Sequence, residues 1–257
     1  MTHDDRYIRE IWLEEGTKPG GYLSRLPVVK SLRQNGGLKL NSPVTFLVGE
    51  NGSGKSTLLE AVAVAFGFNA EGGSRNFCFS TYGSHSELHR YLRLAKGLPP
   101  EDGFFLRAES FYNVASYIEE LDSQPAAAPL IKEAYGGESL HDQSHGESFL
   151  SLALHRLQGN GLYILDEPEA ALSPSRQMTL LTRIHQLVKN RSQLIIATHS
   201  LILMAYPGAD IYVLSDRGVT LTPYEQTEHY LITRRFLNQP RAMMERLFRD
   251  NLDINDV

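Results

Sequence analysis

An apolar run followed by a glycine-rich turn constrains this chain more than any other feature. Residues 44–48 read Val-Thr-Phe-Leu-Val, which is typical of a buried strand. Residues 49–56 then read Gly-Glu-Asn-Gly-Ser-Gly-Lys-Ser and fit the pattern G-x-x-x-x-G-K-[ST] in full. The alanine-rich segment 56–66 predicts a helix. A strand, a glycine-rich loop and a helix in this order predict a phosphate-binding loop, and this context argues against a chance match.

The chemistry of phosphate binding explains the residue types of this loop. Glycines let the backbone curl so that its N–H groups point at phosphate oxygens, and the N-terminus of the following helix faces the same anion. Lys55 would then reach the β- and γ-phosphates, and the Ser56 hydroxyl would bind Mg²⁺. ATP and Mg²⁺ are therefore the expected ligands. The candidate nucleotide-contacting residues are Asn51, Gly52, Ser53, Gly54, Lys55, Ser56 and Thr57.

A second apolar run ends in two carboxylates. Residues 162–165 read Leu-Tyr-Ile-Leu, and Asp166 and Glu167 follow directly. At the end of a strand, Asp166 can hold Mg²⁺ directly or through water, and Glu167 can polarise the water that attacks the γ-phosphate. An isolated Asp-Glu pair is more often a solvated strand end. Downstream of a phosphate-binding loop, the pair indicates a Walker B motif with its catalytic base.

Together, these motifs resemble those of the ABC-class ATPases over roughly residues 5–225. The resemblance is nearest to the soluble branch, which holds the SMC-like and DNA-break-repair ATPases and the predicted AAA-type ATPases. It implies one α/β domain over residues 1–257, with a mainly parallel P-loop core sheet and an antiparallel β edge. It also implies a small helical lobe over about residues 85–160, between the P-loop and Walker B.

Residues 144–147, Ser-His-Gly-Glu, occupy the position of the family's signature motif, which usually reads Ser-Gly-Gly-Gln or Ser-Gly-Gly-Glu. The resemblance implies that Ser144, Gly146 and Glu147 contact the nucleotide held by an opposite subunit, which predicts a head-to-tail homodimer. His145 replaces the first glycine of the motif. A plain helix N-cap at Ser144, with Glu147 in a capping box, is the alternative interpretation, and the two are compatible.

A histidine follows the last apolar strand. His199 lies two residues after the run 193–197 and 32 residues after Glu167, at the family's switch-histidine position. An imidazole there can donate a hydrogen bond to the γ-phosphate. A lone histidine after a strand is usually a polar cap, but its place in this order of motifs favours the switch role. Glu167 and His199 are thus the candidate catalytic residues, and residues 170–173 match the family's D-loop at the dimer interface.

Two expected features of the family have no assigned residue. The Q-loop glutamine is missing after the predicted strand 104–107, where Glu109 is a candidate substitute. Tyr7, Trp12 and Tyr22 are candidates for stacking on adenine, and each fits a core position equally well.

The rest of the chain alternates strands and helices, which predicts a mainly parallel sheet with antiparallel strands at its margins. The other predicted strands are 7–13 and a hairpin of 211–214 with 219–222. The other predicted helices are 86–95, 112–121, 146–157 and 175–189, followed by a helical tail.

Composition restricts the cellular setting. The net charge is −5, so no overall basic character points to nucleic acid or to membrane surfaces. A single cysteine, Cys78, precludes an internal disulfide and predicts a reducing compartment, hence a cytoplasmic protein. No apolar run reaches about 18 residues, so no direct membrane insertion is expected. Arg90, Arg93 and Lys96 follow a helical spacing that could contact nucleic acid, although a solvated helix face is favoured.

Three classes of biological output fit this sequence. The first is a motor or clamp in DNA repair or phage defence, with nucleic acid or an effector protein as partner. The second is the ATPase subunit of a transporter, and the third is a non-catalytic switch in which ATP controls dimerisation. The intact pair Asp166 and Glu167 argues against the third class.

Overall fold

The computed structural model of the chain describes residues 6–74, 86–107, 122 and 145–250. Its strands are β1 Ile8–Leu13, β2 Leu38–Lys39, β3 Val44–Gly49, β4 Gly73–Ser74, β5 Leu92–Lys96, β6 Asp102–Arg107, β7 Gly161–Asp166, β8 Gln193–Ala197, β9 Asp210–Ser215 and β10 Gly218–Leu221. Its α-helices are α1 Pro27–Asn35, α2 Lys55–Phe66, α3 His145–Ser151, α4 Pro174–Lys189, α5 Leu201–Met204, α6 Glu228–Asn238 and α7 Pro240–Asp250. A π-helical turn, Leu152–Arg156, continues α3.

Seven strands form the central sheet in the order β10-β9-β3-β8-β7-β6-β4. The five inner strands are parallel, and β10 and β4 are antiparallel at the two edges. Every residue of β3, β7 and β8 is buried, because helices cover both faces of a parallel sheet. That double burial explains the mostly apolar sequences of these strands, and the predicted α/β fold class is confirmed.

The two faces of the sheet carry separate hydrophobic cores. One core joins α1, α2 and the antiparallel sheet β2-β1-β5 to one set of strand side chains, including Leu47 and Ile164. The other joins α3, α4 and the alternate strand side chains, including Phe46 and Leu165. Because successive side chains of a strand point to opposite faces, each inner strand contributes to both cores.

The helix predicted over residues 86–95 is wrong. A 3-10 helix, Glu87–Arg90, is followed by β5, which pairs antiparallel with β1. The leucines of this segment suit a helix or a strand equally well, and the free edge of β1 decides between them. The basic stripe is therefore not a helix face: Arg90 pairs with Glu87, and Arg93 pairs with Glu14. The Nζ of Lys96 donates to the carbonyl of Ala65 at 3.0 Å.

Some of the other predictions are confirmed, and one lies outside the described residues. The helices predicted from residues 56, 146 and 175 and the hairpin near residue 215 are confirmed within a few residues. The predicted helix 112–121 lies outside the described residues, and so does much of the segment 85–160. The described parts of that segment hold β5, β6 and α3 with its π-helical turn, so they are only partly helical.

Helix α1 was not predicted, although proline at its first position and Gly36 after its end, with φ 76°, are ordinary boundary signals. Among the described residues, no helix is both long enough and apolar enough to cross a bilayer.

Candidate functional site

Three adjacent inner strands deliver the predicted site residues to one edge of the sheet. β8 lies between β3 and β7, and all three strands run parallel. The glycine loop follows β3, Asp166 ends β7, and His199 lies just beyond β8. Residues that are distant in sequence are therefore neighbours at the carboxyl ends of these strands, where ligands of α/β sheets bind.

Two glycines of the loop occupy positions where a side chain would collide. A Cβ on Gly49 would lie 2.2 Å from the carbonyl oxygen of Leu214. Gly54, with φ 95°, is the N-cap of α2, and a Cβ there would lie 3.0 Å from Val28. The loop is thus packed tightly against β9 and α1, and its curvature depends on residues without side chains.

Lys55 is buried inside this loop. Its Nζ donates to the carbonyls of Gly49 at 2.6 Å and Glu50 at 3.1 Å. Burial lowers its pKa, while the nearby carboxylates of Glu167 and Asp166 act in the opposite direction. The lysine is therefore one cation among several acidic groups, and its donors can turn from loop carbonyls to a bound anion.

Ser56 and Asp166 meet across the sheet. The Ser56 hydroxyl donates to Oδ1 of Asp166 at 3.1 Å. Two oxygens bound to one octahedral Mg²⁺ at about 2.1 Å lie about 3 Å apart, so this spacing fits a shared ion. The described residues contain no cluster of three or more His, Cys, Asp or Glu side chains suited to a metal. This donor pair fits Mg²⁺ that takes its remaining ligands from phosphate and water.

Glu167 and His199 face each other beside the loop. Nε2 of His199 lies 3.6 Å from Oε1 of Glu167, and each side chain is about one third exposed, 33% and 39%. Glu167 has a left-handed backbone, φ 48°, and its N–H donates to the carbonyl of Ala197 at 2.9 Å. Burial is the largest cause of a lowered His199 pKa, and the charge of Lys55 acts in the same direction. A neutral imidazole that can donate through one nitrogen is thereby favoured.

Glu169 belongs to this site and was not predicted. Its Oε1 accepts the backbone N–H of His199 at 2.6 Å, and its Oε2 is buried without a hydrogen-bond partner. A second acid only two residues after Glu167 was the available signal in the sequence. Glu169 therefore fixes the backbone that carries the switch histidine.

A cavity of about 760 Å³ opens beside the loop. Residues 49–53 line it together with the β9–β10 turn and the first turn of α6, which brings in His229. The His229 ring lies 5.7 Å from the ring of His199, centroid to centroid, at an angle of 56°. Ser53 also lines the cavity, and its hydroxyl is buried without a hydrogen-bond partner.

The remaining residues that were predicted to contact nucleotide lie in the glycine loop, in α2 and in α3. Asn51 and Gly52 are exposed on the loop, and Thr57 is half-buried in the first turn of α2. Gly146 lies in α3, and Glu147 pairs with Arg176 of α4 at 2.9 Å. Ser144 and Glu109 lie outside the described residues.

The three aromatic candidates for adenine stacking differ in exposure. Tyr7 is buried, and its hydroxyl donates to the carbonyl of Arg191, so it is a core residue. Trp12 is half-buried in β1 and lines a separate cavity. Tyr22 is 58% exposed in a 3-10 helix that leads into α1. Tyr22 is therefore the one of the three with a mostly exposed ring, and the residues that follow it, Leu26 and Val28, contact the loop at Gly54.

Two protein-family models match the chain. One, described as "AAA domain", matches residues 29–139. The other, described as "AAA domain, putative AbiEii toxin, Type IV TA system", matches residues 130–205. The first match includes the glycine loop, and the second includes Asp166, Glu167 and His199.

Curated relatives are ABC ATP-binding proteins. The ABC transporter ATP-binding/permease protein Rv1747 of Mycobacterium tuberculosis is 27% identical over 172 residues, 62% of this chain and 19% of that protein. The ribose import ATP-binding protein RbsA of Yersinia pestis is 28% identical over 193 residues, 66% of this chain and 34% of that protein. The chain thus corresponds to only a part of each relative.

Solved structures of ABC transporter components also align. CbiO1 from Clostridium perfringens, part of the cbiONQ transporter complex, gives a TM-score of 0.45 at 18% identity, over 81% of this chain and 90% of that chain. The two AAA matches and the ABC relatives at the level of sequence support an ABC-class P-loop ATPase.

Proposed function

We propose that this chain binds MgATP and hydrolyses it. One observation carries the proposal: two functional pairs converge beside one glycine loop. Ser56 lies 3.1 Å from Asp166, and His199 lies 3.6 Å from Glu167. The first pair suits a metal-bound phosphate and the second suits an activated water, and both are needed for phosphoryl transfer to water.

Each residue has a definite task in this proposal. The loop N–H groups, the Ser53 hydroxyl and Lys55 bind the phosphates. Glu167 accepts a proton from water as the water oxygen bonds to the γ-phosphorus and the bond to the β-phosphate oxygen breaks. His199 donates a hydrogen bond to the γ-phosphate. Ser56 and Asp166 would hold Mg²⁺, which neutralises phosphate charge when bound.

The half-exposed groups of the site support action as a dimer. The side chains of Glu167 and His199 are about one third exposed, although Nε2 of His199 is itself buried, and Asn51 lies exposed on the loop. In the proposed head-to-tail homodimer, Ser144, Gly146 and Glu147 of a second copy would cover this face and contact its nucleotide. The ion pair between Glu147 and Arg176 joins that segment to α4, so the two would move together.

Tyr22 is the proposed adenine contact. It precedes α1, and the side chains of Leu26 and Val28 at the start of α1 lie within 4 Å of the Cβ position of Gly54. An exposed aromatic ring on a segment that touches the phosphate loop suits a planar base.

Two biological outputs have support. The words "putative AbiEii toxin, Type IV TA system" in one family description favour the defence-type process, with nucleic acid or an effector protein as partner. The curated relatives named as transporter proteins favour an ATPase subunit of a transporter instead. Stimulation of hydrolysis by DNA would favour the first, and co-purification with a membrane protein would favour the second.

The hydrolysis proposal is tested with wild type, Glu167→Gln and a control, Glu245→Gln, which changes an exposed acid on α7. Steady-state ATPase activity and size-exclusion chromatography in MgATP are measured for each. We expect Glu167→Gln to lose hydrolysis on the order of 100-fold or more and to accumulate an ATP-bound dimer, because general-base catalysis contributes about 10²–10⁴-fold. Equal turnover of wild type and Glu167→Gln would contradict the proposed role of Glu167.

The contact between Ser144 of one copy and the nucleotide of the other is tested separately by Ser144→Arg. An arginine at this position would block that contact but leave the glycine loop of its own chain intact. We expect normal ATP binding by the single chain with no turnover. Full turnover would contradict the head-to-tail arrangement without affecting the hydrolysis proposal.

A further inference from the structure

We propose that His229, in the first turn of α6, is a positioning residue of the nucleotide site that acts through the switch histidine His199. This inference deepens the proposed function and rests on it. The two rings are 5.7 Å apart and tilted by 56°. They come from segments separated by the whole β9–β10 hairpin, so their contact is created by the fold and not by neighbouring positions in sequence.

His199 needs a support for its ring. Its backbone N–H is fixed by Glu169 at 2.6 Å, but its Nε2 is buried and has no hydrogen-bond partner. Glu167 is 3.6 Å away, which is beyond a good hydrogen bond. Among the described residues, the one aromatic ring pair that includes His199 is the pair with His229. His229 therefore restricts the orientation in which His199 presents Nε2 to a γ-phosphate.

The first turn of α6 is tied to the switch segment. Thr227 is 1% exposed and caps α6 by accepting the N–H of Tyr230. Its hydroxyl also donates to the carbonyl of Tyr224 at 2.8 Å. The Tyr224 hydroxyl in turn donates to the carbonyl of Leu201, two residues after His199, at 3.0 Å. His229 is thus held at a fixed position relative to His199 through these buried and half-buried contacts.

His229 also faces the nucleotide side of the switch. It lines the same cavity as residues 49–53, including the buried, unpartnered hydroxyl of Ser53. The ring that it contacts is that of His199, and the proposed effect on the reaction passes through this contact.

The charges around His199 agree with this geometry. Burial is the largest cause that lowers the pKa of His199, and the charge of Lys55 is the second largest. His229 also lowers this pKa. Glu167 and Glu169 act in the opposite direction. A neutral His199 ring has a single N–H donor, whereas a protonated ring has two. Donation to a phosphate from the neutral ring therefore depends more strongly on the orientation of the ring.

The test is a double-mutant cycle with kcat and KM measured separately. His229→Ala removes the ring, His229→Phe keeps an aromatic ring but removes its nitrogens, and Leu231→Ala changes an exposed residue of the same helix as control. We expect His229→Ala to lower kcat by about 10- to 100-fold with little change in KM, since a misplaced catalytic group costs up to about 10²-fold. His229→Phe should restore most of kcat, and Leu231→Ala should behave as wild type.

The cycle is closed with His199→Ala. If His229 acts through His199, adding His229→Ala to His199→Ala has no further effect. The proposal is overturned if His229→Ala leaves kcat unchanged, or if its effect persists in the His199→Ala background. In the second case, His229 would act on the nucleotide or the fold directly.

A binding measurement keeps this inference separate from hydrolysis. In the Glu167→Gln background, affinities for ATP and ADP are compared with and without His229→Ala. We expect the preference for ATP over ADP to fall several-fold, because the γ-phosphate contact of His199 is weakened. If wild type binds ATP without turnover, the hydrolysis proposal fails, and this ratio alone decides the role of His229: an unchanged ratio overturns it.

Discussion

At the scale of single residues, neighbouring charges act in opposite directions on the pKa values of partly buried groups in the site. His199 shows this most clearly, because one cation and two carboxylates shift the pKa of its ring. Burial and Lys55 lower its pKa, and Glu167 and Glu169 raise it. The two directions can be separated by substitution, because Lys55 and Glu167 approach the ring from different elements, α2 and the end of β7.

We predict that Lys55→Met raises the pKa of His199 and that Glu167→Gln lowers it. The measurement is an NMR titration of the histidine ring signals, with Lys189→Met, an exposed lysine at the end of α4, as control. Shifts in the same direction for both site variants would contradict the charge arrangement described here.

The same lowered pKa has a consequence for stability. Because folding takes this pKa below its ordinary value of 6.5, the folded state binds fewer protons at His199 than the unfolded state does just below that pH. The contribution of His199 to folding stability is therefore present above pH 6.5 and is lost as the pH falls through the folded-state pKa.

At the scale of elements, the glycine loop depends on close contact with strand β9. A Cβ on Gly49 would lie 2.2 Å from the backbone oxygen of Leu214, and a backbone atom cannot move aside as a side chain can. Gly20 offers the contrast, because it has an extended backbone, φ −88°, and no atom within 4 Å of its Cβ position.

We predict that Gly49→Ala lowers the free energy of unfolding by about 1–3 kcal/mol, the usual cost of overpacking. It should also weaken ATP binding, because the loop must shift away from β9. Gly20→Ala should stay within about 0.5 kcal/mol of wild type. Chemical denaturation and nucleotide titration of both variants measure these effects. Equal stability of the two variants would contradict the tight packing of the loop on β9.

The elements also explain what the sequence could and could not predict. Strands β3, β7 and β8 were predictable because they are buried on both faces and their sequences are therefore mostly apolar. Strand β5 was not predictable, because its alternation of apolar and polar residues is short. It forms a strand because it pairs with β1. The loop and the acid pair were predictable because their spacing is local. His229 was not, since its contact with His199 depends on how α6 docks.

At the scale of the whole molecule, the two C-terminal helices differ from all the elements that build the sheet. The hydrophobic cores on the two faces of the sheet include no residue of α6 or α7. Within the described part of the chain, these helices instead expose large apolar side chains, and the most exposed are Leu231, Ile232, Leu237, Leu247 and Phe248. Since hydrophobic stabilisation follows the apolar area removed from water, these side chains contribute little to the stability of this chain alone.

We predict that a chain ending at Gln239, which lacks α7 but keeps His229, folds with a Tm within about 2 °C of the full chain. Leu59→Ala is the comparison: Leu59 is 0% exposed in α2, and its truncation should cost about 2–5 kcal/mol and lower Tm by at least about 4 °C. Differential scanning calorimetry at two protein concentrations measures both.

A large, concentration-dependent loss of Tm on removing α7 would contradict the prediction, because it would mean that another copy covers the apolar side chains of α7 and that the folded unit is an assembly. A small loss would show that the sheet and its two cores fold without α7, so that α7 would serve a role other than stability.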